Sequence, residues 1–213
     1  CELYCQHPDI RVRTDARVTA LQETAGGWAL QVVGTAQATQ LFADKVILCN
    51  SADVYEFTQT RHYPVINNRG QVDVYPEAEH SGIKTVICGH GYVLPVSQGQ
   101  QSIGGSYFVA DNSYTAELSR STLHLQQLQH LYPPLSRAMQ TLAPLVRRTA
   151  SRCITPDRMP LAGSAVSEDG SNLRGLYLNI AHGSHGLTRT PLCAAWVASL
   201  INRTPPPIPA AVA

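Results

Sequence analysis

No G-x-G-x-x-G occurs in these 213 residues, and the one G-x-G, Gly89-His90-Gly91, runs into Tyr-Val-Leu-Pro, an extended stretch where a helix would be needed. A dinucleotide pyrophosphate is held where a strand turns through such glycines into a helix, so that part of a dinucleotide cradle is missing. No apolar run approaches the roughly 18 residues of a membrane span, and no signal peptide opens the chain. The six cysteines, at 1, 5, 49, 88, 153 and 193, form no C-x-x-C pair. Cys49 and Cys88 end apolar runs in which a thiol acts as a small hydrophobe, so reduced thiols in a cytoplasmic protein are expected. His182 and His185 have no third ligand nearby in sequence, so no metal is expected. Charged residues make up 15% of the chain and the formal net charge is +1. That leaves no global basic field to announce nucleic-acid binding by itself.

What is present is enough apolar sequence, 44%, for one domain with a real core or one large piece of a bigger fold. The chain begins in mid-phrase at Cys1-Glu2-Leu3, without methionine, and reads as a fragment. Its last third is the most informative stretch. Val146 to Gly163 ends in a polar turn, Thr155-Pro156-Asp157, and Leu176 to Ile180 is an uncharged strand. The turn Ala181 to Gly186 then leads into a helix that starts between Gly186 and Thr190. Leu192, Ala195, Trp196, Ser199 and Leu200 share one helical face, and Pro191 suits a first turn. A helix start after such a turn favours anions and electron-rich oxygens. An ordinary strand-to-helix connection, tightened by glycines, is the alternative.

Earlier in the chain, Ile10–Arg13, Ala16–Leu21 and Trp28–Val33 alternate as strands, with a hairpin turn at Gly26-Gly27. Ala43 to Asn50 is a further strand. Residues 62–110 read as antiparallel strands at Val65–Ile66, Gln71–Tyr75, Lys84–Cys88, Tyr92–Val96 and Ser102–Phe108, with charges marking turns and an exposed face. A solvent-side helix over 114–131 places Leu118, Thr122, Leu125, Leu128 and Leu131 on one face and stops at Pro133-Pro134. A second helix covers Leu135–Leu145. Arg147, Arg148, Arg152 and Arg158 form the one cationic cluster, with a solvated loop as its plain reading.

The pieces SRCITPDRMPLAG and HGSHGLTRTPLCAAWVASLI resemble the C-terminal signature of the glycine/D-amino-acid oxidase superfamily of flavoproteins. G-L-T-x-x-P-L-C-A, with R-G-Q-V at Arg69–Val72, more narrowly resembles the flavin domains of bacterial bifunctional tRNA-modification proteins. The resemblance covers almost the whole chain. It implies a mixed α+β / α/β fold: a partial FAD-binding domain of the glutathione-reductase-like kind, and an antiparallel-sheet substrate domain of the D-amino-acid oxidase type. Residues 1–60 and 151–213 would belong to the first and 61–150 to the second.

By the same resemblance Arg152 grips a substrate carboxylate, which suits a planar fork better than an ammonium. Tyr92 is a substrate-side tyrosine, and His90 shares its face if both lie in one strand. A strand aromatic and a bland polar neighbour are their ordinary readings. Val18 matches a position whose backbone contacts the adenine, or is simply a core valine. Gly183, Ser184, His185, Gly186, Leu187 and Thr188 would hold the flavin, with histidine at 185 where many relatives carry arginine. His185 and Arg69 stand next in line for the carboxylate. Ser51 replaces a family glycine after Cys49-Asn50.

The implied cofactor is FAD. The implied reaction is oxidative removal of a carboxymethyl group from a secondary amine on the wobble uridine of tRNA, beside a methyltransferase domain that uses S-adenosyl-L-methionine on the same parent chain. A small-molecule amine oxidase of the glycine or sarcosine type, and a truncated chain serving as a non-catalytic binding module, are the alternatives.

Overall fold

The computed structural model describes residues 6–34, 39–105, 108–109 and 115–208. The chain forms two units. One gathers residues 1–64, 160–180 and 186–213, and the other 65–159 with 181–185. The boundary expected at 150/151 falls inside a strand, because the segment after Val146 pairs with the second unit's sheet along its whole length.

In the first unit β1 (Ala16–Thr24), β2 (Gly27–Gly34) and β3 (Thr39–Ala43) form an antiparallel meander. Thr24 pairs with Gly27, so Ala25-Gly26 is the hairpin loop and Gly27 is the first residue of β2. Ile10–Arg13, expected as a strand, is exposed and forms none. A second sheet runs β11 (Leu161–Val166), β12 (Asn172–Ile180), β4 (Val46–Leu48), with β12 parallel to β4 and antiparallel to β11. Leu176, Leu178 and Ile180 are buried, as their lack of charge predicts. Trp28 is fully buried too, and its Nε1–H donates to the Arg174 carbonyl at 3.0 Å. Beside it Gly175 has φ +78, and a Cβ there would meet the Asp44 carbonyl oxygen at 2.8 Å, so glycine is required.

The last helix, α3 (Gly186–Asn202), follows a short 3-10 turn at Gly183–His185. Pro191 therefore falls in its second turn rather than its first, denying Leu187 O an intrahelical bond. Leu187 is 94% exposed, so water can serve that carbonyl. The expected inward face is also rotated: Val197 and Ser199 are buried, whereas Leu192 and Ala195 are exposed. Trp196 and Leu200 of the expected face still turn inward, coming within about 4 Å of where a Gly163 Cβ would be on β11.

The second unit is one antiparallel sheet in the order β10 (Val146–Ile154), β5 (Ile66–Pro76), β8 (Gln100–Gly104), β7 (Tyr92–Val93), β6 (Ile87–Cys88), with β9 (Phe108–Val109) also pairing β5. Helices α1 (Leu118–Leu131) and α2 (Pro133–Met139) accompany it. Pro133-Pro134 opens α2 at positions that lack intrahelical acceptors, while the chain from Val146 is strand, so Arg147, Arg148 and Arg152 sit in a ladder rather than a loop. Tyr75, Val93, Ile103, Leu128, Leu135 and Met139 form the apolar core.

The charged face of β5, expected to be exposed, is buried. Arg69, Gln71, Asp73 and Tyr75 are each at most 2% exposed. The helix that covers them presents matching polar groups in place of leucines. His124 Nδ1 lies 2.7 Å from Asp73 Oδ2, and Gln71 Nε2 donates to Asp73 Oδ1 at 2.9 Å. Gln71 Oε1 accepts the Glu117 N–H at 2.9 Å, and Arg69 Nη1 bonds Glu117 Oε1 at 3.1 Å. The buried stripe of α1 is thus Ser121, His124 and Leu128, and Leu118 is 68% exposed. Polar groups that hydrogen-bond one another can be buried at reduced cost, which is why hydropathy alone misplaces this face.

Candidate active site on the second unit's sheet

Directly opposed residues in an antiparallel ladder point to one side of the sheet, as do residues two apart in a strand. Tyr92 pairs with Gly104, Gly104 with Val72, and Val72 with Arg148. Asn68, two pairs along β5, faces Arg152. Tyr92 and Arg152 therefore share the face opposite the α1 interface. Their Cα atoms are roughly 20 Å apart, from three strand spacings and four residues of rise. The floor between them is small: Gly70, Gly104 and Ala150. A Cβ on Gly104 would come within 2.9 Å of the Tyr92 hydroxyl oxygen, so the half-buried tyrosine folds over that glycine toward β5. Arg152 is half-buried at the other end.

The 3-10 turn belongs to the same face. Ile154 lies two residues beyond Arg152, and its Cγ2 is 3.2 Å from where a Gly183 Cβ would be. Ala181 and Gly183 both have left-handed backbones, φ +62 and +58, and the His185 N–H donates to the His182 carbonyl at 3.1 Å. Ser184 and His185 are exposed, as are Leu187 and Thr188 where the chain enters α3, and Gly186 is half-buried. The first turn of a helix carries N–H groups with no intrahelical acceptor, which suits an electron-rich edge.

Two expectations change. His90 is not in a strand with Tyr92: it is exposed at the tip of the β6–β7 hairpin, where the Gly89 N–H bonds the Gly91 carbonyl at 2.8 Å. It does not share the tyrosine's face. Arg69 points to the α1 side, bound to Glu117 and to the Thr115 carbonyl, and is not placed to hold a ligand beside Arg152. That arginine's hydrogen bond is the main cause holding the Glu117 carboxyl below its usual range.

In the first unit Val18 is half-buried and lines a cleft of about 370 Å³ with Leu48, Cys49, Asn50 and Asp53. This is the carboxyl end of β4, the end at which ligands sit in sheets with parallel strands. Partial burial pushes the Cys49 thiol pKa up. Ser51 holds φ +61, the left-handed backbone its place after Cys49-Asn50 demands. A larger cleft, about 690 Å³, lies by Lys45, Arg174 and Arg203 and contains none of the candidate residues. Its cations sit near the carboxyl end of α3, where they complement the helix dipole.

Among the described residues no group of three or more His, Cys, Asp or Glu side chains could hold a metal, and no helix is long and apolar enough to cross a membrane. Residues 4–200 match the model of the FAD dependent oxidoreductase family. The chain belongs to the FAD dependent oxidoreductase family. It is 31% identical to the tRNA 5-methylaminomethyl-2-thiouridine biosynthesis bifunctional protein MnmC of Chromobacterium violaceum, over 96% of this chain and 34% of that protein. It is 29% identical to MnmC of Pseudomonas syringae pv. tomato, over 100% and 36%. The chain thus spans about a third of the length of these curated relatives. Glycine oxidase from Geobacillus kaustophilus shares the fold at TM-score 0.75 and 18% identity, over 92% of this chain and 50% of that one. Iminodiacetate oxidase from Chelativorans sp. BNC1 does so at TM-score 0.67 and 19% identity, over 94% and 52%.

A flavin dinucleotide fits the residues present in part. Within the first unit the cleft at Val18 lies at the carboxyl end of β4, and within the second the Gly183 turn has a left-handed backbone, while the G-x-G-x-x-G pyrophosphate turn is absent from the sequence. Sequence reasoning missed Asn68, which faces Arg152, and the polar ladder behind it. The signal was there in Arg69, Gln71 and Asp73 at a period of two, opposite Glu117, Ser121 and His124 at helical spacing.

Proposed function

We propose that this chain is the catalytic part of the flavin domain of a bifunctional tRNA-modification enzyme, removing the carboxymethyl group from 5-carboxymethylaminomethyl-(2-thio)uridine at the wobble position. The observation that carries this reading is the shared face of Arg152, Tyr92 and the Gly183–His185 turn. The similarity to MnmC proteins supports the substrate and, on the parent chain, a methyltransferase partner.

In this reading Val18 is the candidate for an adenine contact, and Gly183, Ser184, His185, Gly186, Leu187 and Thr188 are the candidates for contacts to the flavin. Arg152 grips the carboxylate of the carboxymethyl arm with two parallel N–H bonds, which fixes where the adjacent CH₂ lies. Tyr92, folded over Gly104, closes the far end of the floor. FAD, when bound, accepts the two electrons that leave the CH–NH bond. Water then adds to the resulting C=N, and the C–N bond breaks to give glyoxylate and a primary amine. His185 is shorter than an arginine, and its N–H closes the turn on the His182 carbonyl, so it serves the turn rather than the carboxylate.

The test is anaerobic flavin reduction in the full-length parent by carboxymethylaminomethyl-modified tRNA, with FAD content checked. Stranding one partner of a buried charge pair costs about 2–5 kcal/mol, so Arg152→Ala should lower kcat/KM about 30-fold to several thousand-fold. Arg152→Lys should fall between. A wild-type rate in Arg152→Ala would refute the assignment. Rapid turnover of free glycine, sarcosine or iminodiacetate, with none of the tRNA, would favour a small-molecule amine oxidase.

A further inference from the structure

Asn68 has no part in the reading so far. It is 7% exposed, and its side-chain oxygen is buried without a hydrogen-bond partner. Buried acceptors in native proteins are almost always satisfied, so an unsatisfied one on a ligand-facing surface points to a donor that arrives or turns. Its neighbours on that face narrow the choice. Among the described residues of β5 and β10 they are Ile66 and Gly70 along β5, Ala150 and Ile154 on the diagonals of β10, and Arg152 directly opposite. Of these residue types only arginine has a side-chain donor.

Resting on the reading of Arg152 as the carboxylate clamp, we propose that Asn68 is its positioning residue, accepting the guanidinium Nε–H when the fork engages a carboxylate. Opposed Cβ atoms lie about 4.5–5.5 Å apart. An asparagine oxygen stands two carbons out from its backbone, level with the stem of an arginine rather than its tip. A bond at Nε fixes the plane of the guanidinium and leaves both Nη groups facing outward, the arrangement for end-on, bidentate capture. Fixing the plane before the ligand arrives reduces the ordering cost of binding.

The experiment uses the full-length flavoprotein and glycolate, a carboxylate without an amine, titrated by its perturbation of the flavin visible spectrum. Asn68→Ala should raise the glycolate Kd and the KM for modified tRNA about tenfold, as expected for one hydrogen bond to a charged group, with kcat within about twofold. Asn68→Asp has the same shape but neutralises the fork, and should weaken glycolate about 100-fold or more while retaining FAD. If Asn68→Ala does not fold, Asn68→Ser, too short to reach Nε, reports the same loss. Arg152→Ala, run alongside, separates the two ideas. Loss of glycolate binding in Arg152→Ala with wild-type Kd values in every Asn68 variant overturns the positioning role and leaves the clamp standing. Wild-type binding in Arg152→Ala overturns both.

Discussion

His124→Ala tests the interface that holds the helix against the second unit's sheet. Both partners of the His124–Asp73 pair are 0% exposed by side chain, and the bond is 2.7 Å long. Truncation strands a buried carboxylate, at a cost of about 3–5 kcal/mol for a pair broken on one side. The Gln71 bond to Asp73 Oδ1 survives, which places the expected loss toward the lower end, about 3 kcal/mol. For a chain of this length that lowers Tm by on the order of 10 °C. Removing the negative charge first should rescue part of it, so in the Asp73→Asn background the same truncation should cost at least about 1 kcal/mol less. The pH dependence adds a second arm. Burial alone would raise the Asp73 pKa, but hydrogen bonds from His124, Gln71 and Ser121 outweigh it and hold the carboxyl below its usual value. A folded pKa below the unfolded one stabilises above the unfolded value of about 3.9 and is lost as pH falls through the folded value. Removing His124 leaves burial in control, so the stranded carboxylate should cost most at neutral pH, and the deficit should shrink as pH falls and Asp73 takes up a proton. Urea titrations at neutral and acid pH followed by far-UV circular dichroism measure both. A loss under about 1 kcal/mol at neutral pH, or a deficit that does not shrink on acidification, would refute the idea that this pair secures the helix.

Other expectations concern single positions. Ser51→Gly relieves a left-handed backbone and should stabilise the chain by about 0.5–1 kcal/mol in urea titrations. Gly104→Ala should push the Tyr92 ring off its floor, costing about 1–3 kcal/mol from overpacking and weakening carboxylate binding by the flavoprotein. The Asp169 carboxyl, held down to about 2 by Ser167 and Ser171, should titrate there by carbon-13 NMR and move up in Ser167→Ala. Its turn keeps that contribution above the unfolded pKa and loses it as pH falls toward 2. Equilibrium dialysis of the chain alone should retain FAD weakly, because its sequence offers no pyrophosphate turn.

The strand-turn-helix from Leu176 to Asn202 was legible because an uncharged strand, two glycines and a helical apolar repeat all agree locally. Arg152 and Tyr92 could be named from motif likeness. That they share a face could not, since it depends on a ladder joining residues some 80 positions apart. The inward face of α1 was misassigned because its partners are polar. Leucine spacing marks a helical stripe only when what lies beneath is apolar, and beneath α1 lie Gln71 and Asp73.

The alternation along β5 has a consequence for folding. Arg69, Gln71, Asp73 and Tyr75 face the helix side and the even residues face the other side of the sheet, so a slip of one residue would exchange the two sets. The pairing of Ile66 with Ile154 closes a long loop, which forms slowly and offers many misregistered alternatives on the way. An apolar strand would tolerate several of those. A misregistered β5 would instead leave Asp73 unpaired in a dry interface and Arg69 without Glu117. The buried charges act as a proofreading key, rejecting every alignment but the one that sets Asn68 opposite Arg152.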